Sequence, residues 1–196
     1  MAAKHESEKL ILRLWLLTHR THDAIRRCED KIFGEYGLTA EHYAVLSTMK
    51  FVNGPVRPTD LAHWLERSTN SVSMLADRMV KAGLLRRTRD RADRRVVWLV
   101  MTNKAEEAIK PAILAGWDFI HEILSQLPDE DKRAFVGLLE TVKYQALKHL
   151  NPGVDIEEVR RNEITDQAKL TERLLQYISS SAPEAKRQRG EKGKTR

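Results

Sequence analysis

A dense group of arginines in the middle of the chain is the clearest candidate for binding chemistry. Six arginines fall within residues 86–95, and an unbroken apolar segment, 96–101, follows them directly. Guanidinium groups are always charged, and they bind phosphate or carboxylate oxygens through paired hydrogen bonds. Asp90 and Asp93 lie in the same segment, and we expect them to hold the neighbouring arginines in position through such bonds. The segment therefore predicts a charged tip on an apolar base.

Small polar and cationic side chains alternate with an apolar face in the preceding residues 69–81. If these residues form a helix, each is rotated by about 100° from the one before, so the polar and cationic side chains point away from Val72, Leu75 and Met79. Hydroxyl and amide groups suit hydrogen bonds to DNA base edges, a methionine suits the thymine methyl group, and cations suit phosphates. The predicted base contacts are Thr69, Asn70, Ser71, Ser73 and Met74, and the predicted phosphate contacts are Arg78 and Lys81. For Met74, simple exposure is an equally good interpretation.

The elements that position these residues follow from local patterns. Two short amphipathic segments, 58–67 and 68–81, meet across a polar turn, where Ser68 or Thr69 can cap the second helix and Gly83 can end it. This pattern is typical of a helix-turn-helix. "LLRRT" and "RRVVWLVM" then predict two strands around the polar tip "RDRAD". A hairpin directly after a helix-turn-helix is a wing.

Long amphipathic helices flank this central part of the chain. In the first helix, which ends near Gly34 and Gly37, apolar residues recur at steps of three and four or their multiples. This stripe comprises Leu10, Leu14, Leu17, Ile25, Cys28 and Ile32. Thr39 can cap a helix over 38–51, and two more helices follow Thr102, separated by Pro128. Because no single helix buries its own stripe, these helices require a neighbour or a second copy of the chain.

The composition limits the class of protein. The 196 residues contain 34 Lys and Arg against 28 Asp and Glu, which favours an anionic partner such as nucleic acid. The single cysteine, Cys28, excludes an internal disulfide and is expected to be a buried structural thiol. The N-terminus lacks signal-peptide features, and no segment approaches the roughly 18 consecutive apolar residues of a membrane helix. We expect a cytoplasmic protein with no membrane association.

Two segments resemble the MarR family of winged-helix transcriptional regulators. They are "LADRMVKAGLLRR" and "DRADRRVVWLVMTNKA", within a resemblance that runs from about Leu10 to Leu150. The sequence departs from the family pattern at Arg91, where proline is common, at Val100, which breaks the strand alternation, and at Ala105, which replaces glycine. Two of these departures concern packing, while Arg91 adds a charge at the tip.

The resemblance implies a mainly α fold with a small β-hairpin wing, dimerised through long N- and C-terminal helices. Residues 1–37 and 102–150 would form the dimerisation region and residues 38–101 the winged helix-turn-helix domain. An extra helix at 151–178 and a disordered basic tail at 179–196 lie outside the usual family length. Wing residues Arg94 or Arg95, and also Arg91, would enter the minor groove, where narrow A/T-rich stretches attract guanidinium groups.

The function expected from this resemblance is regulation of transcription by a homodimer that binds double-stranded DNA, with repression as the favoured mode. The two recognition helices would meet half-sites about 34 Å apart on a pseudo-palindrome. Family members often bind a small aromatic ligand, and no cofactor is implied. A metal site is poorly supported, because His19 and His22 lack a tight ligand cluster.

The sequence also bears on two other classes of protein, an enzyme and a protein-binding scaffold. An enzyme is not expected, since the chain has no phosphate-cradling glycine loop and no nucleophile elbow. The main alternative is a protein-binding scaffold that docks partners on the helix at 155–178 and binds DNA weakly or not at all.

Overall fold

The computed structural model of the protein describes residues 2–52 and 54–192. Over these residues the chain forms helices and one antiparallel hairpin, which confirms the predicted mainly α fold with a wing. The elements are α1 (Ala2–Gly34), α2 (Ala40–Val52), α3 (Pro58–Trp64), α4 (Thr69–Lys81), β1 (Leu85–Arg89), β2 (Val97–Met101), α5 (Asn103–Leu124), α6 (Asp129–Leu150) and α7 (Ile156–Lys192). None of the helices in these ranges has a run of apolar residues sufficient to cross a bilayer.

The described chain divides into two units. The first contains residues up to Ser47 together with Pro55–Ala112, and the second contains the end of α2 and the chain from Ile113 onward. This division differs from the predicted one, because α1 belongs with the winged segment instead of with the later helices. The cause lies in the last turns of α1, where the Phe33 ring stacks on Tyr43 of α2 with centroids 3.8 Å apart.

Hydroxyl caps set the starts of three helices, as the sequence predicts. Thr39, Ser68 and Thr102 each accept a hydrogen bond at 3.2 Å from the backbone N–H three residues later. These bonds satisfy amides that have no partner within the helix. After α4, Gly83 takes φ +72°, a left-handed conformation that favours glycine and ends the helix there.

The core of the first unit is built from the predicted inward faces, with one correction in α1. Leu46, Val72 and Met79 are fully buried, in agreement with the sequence pattern. In α1, however, Phe33 is the buried residue, while Cys28 is exposed, so the expectation of a buried thiol is wrong for the single chain. The predicted stripe rests on residue spacing alone. At the end of α1, contact with α2 buries the adjacent face of the helix, which carries Phe33.

The wing, residues 85–101, is an antiparallel hairpin in which Leu85 pairs with Met101 and Arg89 with Val97. It rests on a contact that the sequence analysis missed. Val56, just before α3, exchanges backbone hydrogen bonds of 3.1 and 2.8 Å with Leu99. Since Leu99 is fully buried, this bridge joins the base of the wing to the core beneath the helix-turn-helix.

In the second unit, α7 contacts both α6 and the end of α2. The Tyr144 hydroxyl donates to Glu163 at 3.1 Å, and Lys143 pairs with the same carboxylate at 2.9 Å. The Arg173 guanidinium donates to the backbone carbonyl of Phe51, whose ring meets Tyr177 edge to face. These contacts fix α7 as an ordered part of this unit.

The helix α7 also corrects the boundary predicted at residue 178. It continues through Ser179 to Lys192, so the predicted disordered tail is wrong as far as the helix extends. Ala, Glu, Lys, Arg and Gln dominate this part of the chain, and their helix propensity outweighs the few Ser, Pro and Gly residues on which the prediction relied. Residues 193–196 of the predicted tail lie outside the described residues.

Candidate nucleic-acid interface

The outward face of α4 carries the side chains predicted to meet bases. Thr69, Asn70 and Ser71 are exposed at the start of the helix, Ser73 is half-buried, and Met74 is 62% exposed. The Ser71 hydroxyl lies 2.8 Å from the Ser68 hydroxyl, so it also takes part in the cap of the helix. The opposite face of α4 is fully buried in the core. The helix therefore presents one accessible row of small polar groups on a fixed support.

The other end of α4 is tied to the base of the wing. The Thr102 hydroxyl lies 2.8 Å from the carbonyl of Gly83, and the Lys104 ammonium donates to the carbonyl of Ala82 at 2.9 Å. These groups satisfy carbonyls that the end of a helix leaves without partners, and the cation suits the negative end of the helix dipole. Lys81 remains exposed beside them. The orientation of α4 is thus linked to that of the wing.

Arg78, predicted to contact phosphate, is part of an ion cluster that the sequence analysis missed. Its guanidinium donates to Glu41 of α2 at 3.2 Å, and Arg67 donates to the other oxygen of the same carboxylate at 3.1 Å. Arg26 of α1 lies 3.6 Å from Glu41. We call these four residues the Glu41 cluster. Burial, and secondarily the charge of Arg78, lowers the pKa of the neighbouring His42.

A cavity of about 440 Å³ opens beside the Glu41 cluster. Two guanidinium groups and the hydroxyl groups at the start of α4 line it, together with the apolar side chains of Met74 and Leu75. Its lining residues are Glu41, Arg67, Ser68, Ser71, Met74, Leu75 and Arg78. Arginine and serine side chains can donate hydrogen bonds to an anion. The cavity is therefore a polar, cationic surface next to the outward face of α4.

Asp90 organises the tip of the wing through backbone groups, in contrast to the predicted role. One carboxylate oxygen accepts from the N–H groups of Ala92 and Asp93 at 2.8 and 3.1 Å, and the other accepts from the Trp98 indole at 3.0 Å. Asp93 likewise accepts from the backbone N–H of Arg95 at 2.9 Å. The expectation that these carboxylates hold arginine side chains is therefore wrong. The turn leaves its backbone amides pointing inward, and the carboxylates satisfy them.

The tip arginines are directed into solvent. Arg91, Arg94 and Arg95 are exposed, and within the part of the chain that the structure describes no carboxylate pairs with their side chains. A different wing arginine, Arg87, pairs with Asp77 of α4 at 2.9 Å and links the hairpin to that helix. Arg87 thus braces the wing against α4, whereas Arg91, Arg94 and Arg95 at its tip have no carboxylate partner among the described residues.

Replacing Asp90 with alanine is expected to loosen the wing tip. Three N–H donors lose their acceptor, so amide hydrogen exchange at Ala92 and Asp93 should be at least about fivefold faster. Asp93→Ala, which removes one such bond, should have a smaller effect. Exchange measured by mass spectrometry or NMR checks this, and unchanged rates in Asp90→Ala would contradict the assigned role.

Acidification offers a second readout of the same turn. The bond from Trp98, followed by the two backbone bonds, lowers the pKa of Asp90 below its ordinary value of 3.8. The stabilising effect is therefore complete above pH 3.8 and is lost only as the pH falls through the lower folded-state value. The Trp98 indole N–H resonance should persist through pH 4 and change below it.

A metal centre finds no support in the described residues. No group of three or more His, Cys, Asp or Glu side chains is arranged there to hold a metal ion. His19 packs against Trp15 with ring centroids 4.5 Å apart, and His22 lies 3.4 Å from Asp23.

Comparison with known proteins finds similarity to a family of regulators and to two named transcriptional regulators. The sequence profile of the MarR family matches residues 36–96. The transcriptional regulator MgrA of Staphylococcus aureus is 32% identical over 107 residues, covering 55% of this chain and 71% of MgrA. The regulator PecS of Dickeya dadantii (strain 3937) is 29% identical over 121 residues, covering 59% of this chain and 73% of PecS.

A solved structure shows the same fold. The organohalide-sensing transcriptional regulator RdhR, in its 2,4-dichlorophenol-bound form, superimposes with a TM-score of 0.66 at 22% identity. The superposition covers 71% of this chain and 82% of RdhR. More than a quarter of this chain therefore lies outside the matched region.

Proposed function

This chain belongs to the MarR family of transcriptional regulators, and we propose that it binds double-stranded DNA sequence-specifically as a homodimer and represses transcription. The observation that carries this proposal is that two surfaces suited to DNA lie next to each other on the chain. An exposed row of base-reading groups on α4 is joined to a wing whose tip arginines have no carboxylate partner within the described residues. The related proteins are named as transcriptional regulators, in keeping with a role that is not enzymatic.

The recognition helix in this proposal is α4. Its N-terminal side chains Thr69, Asn70, Ser71 and Ser73 hydrogen-bond to base edges in the major groove, and Met74 packs on a thymine methyl group. Lys81 contacts the phosphate backbone, since it is a cation near the edge of that surface. The buried face and both tied ends of α4 support this role, because precise base contacts require a helix that does not move.

The wing reaches the neighbouring minor groove. Arg94, Arg95 and Arg91 extend from the turn that Asp90 holds, and a narrow minor groove concentrates negative potential where guanidinium groups can enter. Because Asp90 and Asp93 are occupied by N–H donors, they do not neutralise these arginines directly.

Dimerisation is supported by apolar helix surface that a single chain leaves exposed. In α1, Leu10, Leu14 and Trp15 are 57–63% exposed, and Arg13 is the one polar residue in the eight residues 10–17. In α6, Leu138 and Val142 are at least 60% exposed. A helix that is apolar nearly all round requires burial, and surface of this kind marks an interaction site. A second copy of the chain is the partner we propose for these faces.

We further propose that a small aromatic ligand releases the protein from DNA. The related regulator RdhR is described in a 2,4-dichlorophenol-bound form. A ligand releases DNA only if it binds the DNA-incompetent arrangement of the dimer more tightly than the competent one.

The proposal is tested by selecting binding sites from a pool of random duplexes with the purified full-length protein. The expected product is a twofold-symmetric sequence whose half-site centres lie about 10 base pairs apart, one turn of DNA. A pool that stays random after repeated rounds would contradict sequence-specific binding. The scaffold interpretation would then be favoured, with α7 as the surface to examine.

A further inference from the structure

The Glu41 cluster gathers charges that lie far apart in the sequence. Glu41 stands in the first turn of α2, Arg67 directly precedes the cap of α4, and Arg78 lies on the outward face of α4. Both hydrogen bonds are near 3 Å, one to each carboxylate oxygen. The carboxylate therefore fixes the separation and direction of two guanidinium groups at the border of the candidate interface.

The cluster retains positive charge after this pairing. Three arginines surround one carboxylate, so the four side chains carry a net charge of +2. The Arg78 side chain is still 65% exposed, whereas that of Glu41 is 30% exposed. Each guanidinium has five N–H donors, and Glu41 accepts only one from Arg67 and one from Arg78. The remaining donors are available beside the cavity of about 440 Å³.

We propose that this cavity receives one phosphate of the DNA backbone between Arg67 and Arg78, and that Glu41 is the positioning residue for both arginines. The inference rests on the proposed DNA-binding function and adds two residues to it, Arg67 and Glu41. The two fixed guanidinium groups match a phosphate, whose oxygens accept paired N–H bonds. The Ser68 and Ser71 hydroxyls at the same border supply further polar lining.

Glu41 is suited to this task because its own position is fixed. The N–H of Ala40 donates to Asp30 of α1 at 2.8 Å, and the Thr39 hydroxyl caps the same turn of α2. Free arginine side chains lose considerable rotamer freedom when they bind, and a side chain already held in place loses less. Arg26 lies close enough to offset the charge of Glu41. The carboxylate can therefore order the phosphate-binding groups without making the site negative.

The decisive variant is Glu41→Gln, because two explanations of the role of Glu41 predict opposite changes in DNA affinity. If Glu41 only contributes negative charge near DNA, its removal should tighten binding. If it positions Arg67 and Arg78, binding should weaken by about five- to tenfold. Asp60→Asn is the matched control, since Asp60 pairs with Arg57 through bonds of 2.7 and 2.8 Å outside the cluster. It should leave binding unchanged or slightly tighter.

Affinities are measured by fluorescence anisotropy on a random-sequence duplex across a salt series, after circular dichroism has confirmed that each variant is folded. A phosphate contact requires no particular sequence, so this DNA separates the inference from the proposed specificity. Arg67→Ala and Arg78→Ala should each reduce the slope of log Kd against log salt by up to about 0.9 per lost contact and chain.

A cycle that combines Glu41→Gln with the two arginine substitutions completes the test. If Glu41 acts through the arginines, Glu41→Gln should add little once Arg67 and Arg78 are both alanine. The inference is overturned if Glu41→Gln tightens binding, if its effect persists in the background that lacks both arginines, or if Arg67→Ala leaves the salt slope unchanged. Failure of the wild type to prefer any sequence would instead contradict the proposed function alone.

Discussion

Replacing Leu14 and Leu17 of α1 with glutamate should convert a dimer into monomers and abolish tight operator binding. Both side chains are about half exposed in the single chain, at 57% and 48%. In a dimer they would be covered, and a buried unpaired carboxylate strongly opposes association. Because the two recognition helices bind half-sites jointly, separating them should weaken operator affinity by at least about 100-fold. Light scattering gives the mass, and fluorescence anisotropy gives the affinity.

Lys9→Glu is the control for this variant. Lys9 lies on the same helix, outside the apolar segment 10–17, and pairs with exposed Glu6 at 2.8 Å, so the substitution should leave the dimer intact. Circular dichroism establishes that the Leu14 and Leu17 variant retains its helices. A folded variant that is still dimeric would show that this segment of α1 is not the interface.

The second large effect is expected from replacing Arg94 and Arg95 together with alanine. Their side chains are exposed and have no carboxylate partner in the described chain, so the substitution removes charge with little effect on stability. Loss of both arginines from one wing should weaken DNA affinity by about a factor of ten. A dimer that lacks them in both wings should therefore bind its operator about 100-fold more weakly. The salt dependence should become shallower, because fewer counterions are released on binding.

An Arg160→Ala/Arg161→Ala variant provides the matched control. It removes the same charge from α7, where Arg160 lies 3.9 Å from Glu140 of α6. If the wing acts through a defined contact, the control should lose far less affinity than the wing variant. Equal losses would mean that net charge, not the position of Arg94 and Arg95, governs binding.

The predictions from sequence succeeded where structure is local. The start and end of α4, its buried face and the hairpin follow from caps, from a helical spacing of apolar residues, and from β-branched residues within a few positions of one another. Gly83 is an example, since a left-handed residue after a helix is a requirement of that one turn.

The predictions failed where distant residues meet. Glu41 and Arg78 are separated by 37 positions, and no spacing rule connects a carboxylate on one helix with a guanidinium on another. Phe33 is buried by contact with α2, which spacing within α1 does not reveal. One local prediction also failed: Asp90 was expected to bind arginine side chains, but its carboxylate accepts from backbone amides two and three residues away. An Asp two residues before a turn amide is a known local pattern and could have shown this.

Sequence-specific binding is tested by comparing the affinity of the wild-type protein for two duplexes. One carries the sequence obtained by selection, and the other has the same bases in shuffled order. Fluorescence anisotropy at about 150 mM salt should show the selected duplex binding at least about 1,000-fold more tightly, as expected for a specific regulator. Equal affinity for the two duplexes would contradict sequence-specific DNA binding by this protein.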